Sequence, residues 1–188
     1  MSEGEEERGT HLFSPIHSRP ESEIGYVRGV STRVAVCPGS FDPITLGHVD
    51  IVRRARGIAD EVIIAIGINP AKTPLIDDET RRDLVAEAVA DIPGVRVELV
   101  PGLIADFCRE VGASAIVKGI RGGADYDHEL PMALMNKHLS GIETVFLTAN
   151  PELIHISSSL VRELSKFGRD VSDLVPPPVA AALAKIEG

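Results

Sequence analysis

Cys37-Pro38-Gly39-Ser40-Phe41-Asp42-Pro43-Ile44-Thr45-Leu46-Gly47-His48 is the stretch around which the chain is organised. The apolar run Val34-Ala35-Val36-Cys37 leads into it, bounded by turn formers, and reads as a buried strand. After it Ile51, Val52, Ala55 and Ile58 recur at helical spacing, so a helix begins near Gly47-His48. Strand, tight Gly/Pro loop and helix thus follow one another, with a histidine in the helix's first turn. The unpaired N–H groups and positive dipole end of such a helix attract anions. Ser40 adds a hydroxyl donor, Gly39 permits close approach to the backbone, and His48 can donate to phosphate oxygens.

The 188 residues suit one domain with a tail. Hydrophobic content of 44% and charged content of 25% are those of an ordinary globular chain. A net charge of −9 without a basic run gives no nucleic-acid surface, so phosphate chemistry must rest on a few placed cations. Cys37 and Cys108 lie in apolar patterns without metal-ligand spacing and read as core residues in a reducing compartment. No apolar run approaches the roughly 18 residues that span a bilayer, and the N-terminus lacks a signal-peptide pattern, so a cytoplasmic, membrane-free protein is expected. Residues 1–31, acidic at Glu3, Glu5, Glu6 and Glu7, show no apolar periodicity and are expected to be a disordered tail.

Beyond the first helix, strand and helix patterns alternate. Val62–Ile66 is a second strand, running into a loop that carries Lys72. Asp77 or Asp78 caps a helix in which Leu84, Val85, Ala88 and Val89 share a face. Val95, Val97 and Leu99 alternate with Arg96 and Glu98, as in a half-exposed strand near a sheet edge. A short helix bears Ile104, Phe107, Cys108 and Val111 and closes at Gly112, and Ala115-Ile116-Val117 is the next buried strand. Thr144–Thr148 makes a fifth. The pattern predicts an α/β, Rossmann-like open parallel sheet of about five strands with helices on both faces. Ligands of such sheets bind outside the carboxyl ends of the strands, where strand order reverses. Ser40, His48, Lys72 and Lys118 all belong to strand ends or the loops after them.

Lys118-Gly119-Ile120-Arg121-Gly122-Gly123 places two cations about a glycine-rich bend, a spacing that suits phosphates or a solvated loop alike. Asp125, Asp127, His128 and Glu129 follow, either as metal ligands or as acidic residues at the positive start of a helix. Pro131 fits only a first turn, so that helix is expected to start late or to kink. Ser157-Ser158-Ser159 opens a helix ending at Gly168; capping uses one serine, leaving hydroxyls and N–H groups for a polyphosphate. Pro176-Pro177-Pro178 starts a last helix with Val179, Leu183 and Ile186 on one side, expected against the sheet or a neighbouring subunit.

G-S-F-D-P with T-L-G-H resembles the signature of the nucleotidyltransferase superfamily, in which T/H-x-G-H contacts a nucleoside triphosphate. Together with K-G-I-R-G-G-A-D-Y-D-H-E-L-P-M-A-L-M-N and I-S-S-S-L-V-R-E, in that order, it closely resembles bacterial phosphopantetheine adenylyltransferase from about Arg33 to Ile186. The resemblance implies that residues 32–188 form a nucleotidyltransferase domain converting ATP and 4′-phosphopantetheine to dephospho-coenzyme A and pyrophosphate. It further implies Mg²⁺ dependence with no confident protein side-chain ligand, a homohexamer, and inhibition by coenzyme A. On it, His48 would stabilise the transition state at the α-phosphate. Ser40, Lys72 and Lys118 would hold the attacking phosphate, and Ile104, Met135 and Asn136 the pantetheine arm. Ser40, Phe41, Gly119, Ile120, Arg121, Glu129, Leu153, Ile154, His155, Ile156 and Ser157 to Ser159 would line the ATP side, Arg121 and the serines at the β- and γ-phosphates. The chain departs from the family at Ser40 (often threonine), Lys118 (often arginine), His128 and His155 (often aromatic) and Leu153 (commonly tryptophan or tyrosine). Two other readings are a nucleotidyltransferase with another phosphate acceptor, which would share only the first motif, and a silent nucleotide or coenzyme A sensor, which loss of His48 or the cations would have favoured.

Overall fold

β1 (Val34–Gly39) runs through the middle of a five-stranded sheet, paired in parallel with β2 (Glu61–Gly67) on one side and β4 (Ala115–Ile120) on the other. β3 (Val95–Val100) and β5 (Thr144–Thr148) form the edges, giving the all-parallel order β3-β2-β1-β4-β5. The computed structural model describes residues 32–69, 71 and 73–186. The N-terminal tail read at residues 1–31 and the site residue Lys72 lie outside the described residues.

Successive residues of β1 and β2 serve opposite faces, and both faces are apolar. Ala35, Cys37, Val62, Ile64 and Ile66 pack with α1 (Leu46–Ala55), α2 (Asp78–Ala88), α5 (Ser158–Lys166) and α6 (Pro177–Ile186). Val34, Val36, Ile63 and Ala65 pack on the other side with α3 (Ile104–Glu110), against which α4 (Gly123–Ser140) lies. A parallel strand covered twice has no reason to alternate polar and apolar residues, which is why β2 reads as a continuous Val/Ile run. β3 does alternate, as an edge strand with a less covered face.

The helix boundaries follow their caps. Thr45 caps α1, Asp77 accepts from the Thr80 N–H to cap α2, and Ser157 accepts from the Leu160 N–H to cap α5. Gly141, at φ +76°, ends α4 in the left-handed conformation that glycine takes without strain. The sequence left alternatives open for α4 and for α6. α4 does not start late: it begins at Gly123 and contains Pro131. Proline withholds the N–H that would bond the Asp127 carbonyl, and Asp127 is exposed, so water can take that carbonyl instead. α6 packs Val179 and Leu183 into the core beside α2, while Ile186 stays exposed. Among the described residues no helix is long and apolar enough to cross a membrane.

Candidate active site

Between β1 and β4 the strand order reverses, and the loops after these two strands part to leave a cavity of about 460 Å³. Its floor is Pro38 and Gly39 at the end of β1, Ser40 and Phe41 after it, and Lys118 and Gly119 at the end of β4. α1 contributes Gly47, His48 and Ile51, and Ser157, Ser158 and Ser159 close one side. Gly119 allows α1 its close approach: a Cβ there would stand 2.7 Å from Ile51 Cγ1.

His48 is held from two directions. Its Nδ1 accepts from the Thr45 backbone N–H at 3.0 Å, while its own backbone N–H donates to Thr45 Oγ1 at 3.4 Å, a capping box with histidine in the place usual for Glu or Gln. Because a backbone N–H can only donate, Nδ1 must be the unprotonated nitrogen, and the neutral ring carries its proton on Nε2. The Phe41 ring meets the imidazole edge to face, centroids 5.1 Å apart, and fixes its tilt. Burial first, then the charges of Lys118 and Arg121, lower the His48 pKa from 6.5 to about 4. The ring is therefore a neutral Nε2–H donor at physiological pH.

Two cations face it, each paired with a carboxylate of α4. Lys118 Nζ lies 3.0 Å from Glu129 and 3.4 Å from the Pro38 carbonyl. Arg121 grips Asp125 with two nitrogens, at 2.7 and 2.9 Å, and this hydrogen-bonded pairing holds the Asp125 carboxyl below its usual range. Asp125 and Glu129 are one helical turn apart, so both carboxylates look onto the cavity from one face of α4. An incoming polyphosphate would exchange with these carboxylates for the cations. The three serines divide their work: Ser157 caps α5, Ser158 donates to the Pro43 carbonyl at 2.8 Å, and Ser159 is exposed.

A second cavity, of about 400 Å³, adjoins the first and shares Pro38, Gly39, Ser40, Lys118 and Glu129 with it. Ile68, Leu103, Ile104 and Ile116 make it largely apolar. From α4 come Glu129, Met132, Ala133 and Asn136, the i, i+3, i+4, i+7 set of one helix face. Met135 stands off that face, 52% exposed, and lines neither cavity.

Of the residues expected on the ATP side, Ser40, Phe41, His48, Gly119, Arg121, Glu129, Leu153, Ile156 and Ser157 to Ser159 line the first cavity. Ile120, Ile154 and His155 do not. Ile104, Lys118 and Asn136 line the second. Three residues that the sequence did not single out hold the β1–α1 loop. Asp42, 3% exposed, accepts from the Leu75 and Ile76 N–H groups at 2.9 and 3.1 Å and from Arg162 Nη1 at 3.2 Å. Arg81, 4% exposed, donates to the Ser40 carbonyl at 3.0 Å and pairs with Asp78. A signal existed for Arg81: it occupies the same four-residue stripe as Val85 and Val89, a cation in an apolar row.

A helix N-terminus at the switch point, bearing a neutral histidine donor opposite two cations, is the construction of a nucleotidyltransferase, and the cytidylyltransferase-like family profile matches residues 36–164. A protein of a Nocardioides species, named phosphopantetheine adenylyltransferase, is 57% identical over 149 residues, 79% of this chain and 94% of that one. Proteins of the same name from Kocuria rhizophila (55% over 152 residues, 80% and 97%) and Micrococcus luteus (48% over 157 residues, 83% and 98%) are similar along nearly their whole length. The chain belongs to the phosphopantetheine adenylyltransferase family.

Proposed function

We propose that this enzyme transfers the adenylyl group of ATP to 4′-phosphopantetheine, giving dephospho-coenzyme A and pyrophosphate in coenzyme A biosynthesis. One observation carries the reading: two cavities of different character meet at Ser40 and Lys118. The polar cavity suits a nucleoside triphosphate. The apolar cavity suits the pantetheine arm, with Ile104 and Asn136 in its wall, and Lys72, which follows β2 in the sequence, is a further cation for the acceptor phosphate.

The phosphate of phosphopantetheine is already an anion, so it attacks the α-phosphorus without a general base. A bond forms between an oxygen of the acceptor phosphate and the α-phosphorus as the bond from the α-phosphorus to the oxygen bridging to the β-phosphorus breaks, and that electron pair leaves on pyrophosphate. His48, through Nε2–H, donates to the α-phosphate oxygens as charge gathers there. Lys118 neutralises the attacking phosphate at the junction, and Arg121 with the α5 serines receives the leaving group. Catalysis is positioning plus charge stabilisation of an in-line displacement.

Mg²⁺ belongs to this reading as an ion brought by the triphosphate. Among the described residues no three His, Cys, Asp or Glu side chains converge as a metal cage, and the cavity's carboxylates Asp125 and Glu129 are engaged by Arg121 and Lys118. The donor set therefore fits an ion held by phosphate oxygens and water, where it would screen the β- and γ-phosphates. Coenzyme A, carrying both the pantetheine arm and an adenylate, would compete across the two cavities as a feedback inhibitor. A homohexamer is in keeping with the apolar surface of Met132, Leu134, Met135 and Leu139 on α4, all exposed in the single subunit. Buried, unpaired Cys37 and Cys108 accord with a cytoplasmic setting.

Pyrophosphate release from ATP tests the reading. Release should depend on phosphopantetheine and fail with CTP in place of ATP. Release indifferent to phosphopantetheine, or equal with CTP, would contradict it.

A further inference from the structure

We propose that Arg81, on α2, is a positioning residue for adenylyl transfer: it turns the Ser40–Phe41 peptide so that the Phe41 N–H faces the first cavity as a donor to a nucleotide phosphate oxygen. This rests on the adenylyl-transfer reading above.

Arg81 is buried and lines neither cavity. Carrying a guanidinium into the interior is costly in desolvation, and such residues are a poor source of stability for its own sake. Its Nη1 donates to the Ser40 carbonyl at 3.0 Å, its Nη2 pairs with Asp78, and its Nε meets no acceptor among the described residues. The guanidinium thus gives up one hydrogen bond to sit where it reaches Ser40, forty-one positions away in the chain.

What that contact fixes follows from peptide geometry. In a trans peptide the C=O and the next N–H point in opposite directions. Among the described residues the cis bond is at Asp42–Pro43, so the Ser40–Phe41 peptide is trans. With the Ser40 carbonyl drawn back to Arg81, away from the cavity, the Phe41 N–H faces the side that Ser40 and Phe41 line. No protein acceptor meets that N–H among the described residues. Phe41 itself stands at φ +47°, a left-handed conformation that a bulky residue does not take by local preference. Arg81 on the peptide and the His48 ring on the side chain hold it there. The two donors aimed at phosphate, Phe41 N–H and His48 Nε2–H, are in this way set by one loop, and Arg81 locks its first half.

The test uses the full chain, as wild type, Arg81→Lys and Arg81→Met, each assayed the same margin below its own unfolding midpoint. Arg81→Met should lose about 10- to 100-fold in kcat, with KM for phosphopantetheine within about twofold of wild type. Arg81→Lys, which can still donate to the Ser40 carbonyl, should recover most of that loss. An unchanged kcat per folded molecule in Arg81→Met, or equal rises in KM for both substrates, would overturn the proposal, since a merely structural arginine lowers the midpoint and not the turnover of folded enzyme. A second measurement needs no variant: the ¹⁵N-labelled Phe41 amide of wild type should shift downfield when a non-hydrolysable ATP analogue saturates the enzyme, and an unmoved amide also overturns it. Wild-type pyrophosphate release runs alongside. Wild type without phosphopantetheine-dependent release removes the function itself and the proposal with it, whereas active wild type with indifferent Arg81 variants removes only the role of Arg81.

Discussion

His48 shows how much one side chain's neighbours decide. A histidine in the open would be part-charged near neutrality, but here burial and two cations keep it neutral, and the Thr45 N–H selects which nitrogen carries the proton. A donor that acts on charge developing at the α-phosphate contributes little to ground-state binding. His48→Ala should therefore bind ATP within a few-fold of wild type by calorimetry, while the single-turnover rate falls by about 10²–10³. Collapse of ATP affinity with an unchanged rate at saturation would make His48 a ground-state binding residue. The same environment sets a pH dependence of stability. With the folded pKa near 4 and the unfolded value near 6.5, the contribution is fully present above about pH 6.5. It is lost as pH falls from there towards 4, because the unfolded chain takes up a proton that the folded chain refuses. Urea denaturation at pH 7 and pH 5 should show a smaller loss for His48→Gln than for wild type; equal losses would mean that the ring is not held neutral.

At the level of elements, the β1–α1 loop is tied to the segment after β2 and to α5 through Asp42. That carboxylate joins the start of the segment leading into α2, the β1–α1 loop and the serine helix. Asp42→Ala leaves the buried Ile76 N–H and the half-buried Leu75 N–H without acceptors and Arg162 without its partner, and should destabilise the fold by about 2–4 kcal/mol, read as a lower urea midpoint at unchanged slope. A change under 1 kcal/mol would show that water replaces the carboxylate. The strands, the caps and the strand-end loops were legible in the sequence because they rest on local periodicity and on turn and cap chemistry. The first motif's glycines and histidine were legible for the same reason. Asp42, Arg81 and Arg162 were not, because their meaning lies in partners 33 to 120 residues away. α4 shows a different limit: knowing that Met135 is on a helix does not say which face it takes, and in the single subunit Met132 and Asn136 line the cavity. Of the two outcomes that Pro131 allowed, a late start does not occur, because a helix of eighteen residues, packed on α3, outweighs one missing hydrogen bond.

At the scale of the whole molecule, the relatives are matched over 94–98% of their length by 79–83% of this chain, so the chain carries residues that they lack. The stretch 1–31 is acidic and without apolar periodicity. Because residues 1–31 show no apolar periodicity, a protein beginning at Thr32 should melt within about 2 °C of the full chain and keep its turnover. A large loss of turnover would give the tail a part in the reaction. The central claim is that both substrates occupy the joined cavities together and that the acceptor phosphate attacks the α-phosphorus directly, with no adenylylated enzyme between. The stereochemical course at that phosphorus tests it most directly, using ATP carrying a chiral α-thiophosphate and phosphopantetheine as acceptor. A single in-line displacement gives a product with inverted configuration. Retention would reveal two displacements through a covalent intermediate and contradict the account.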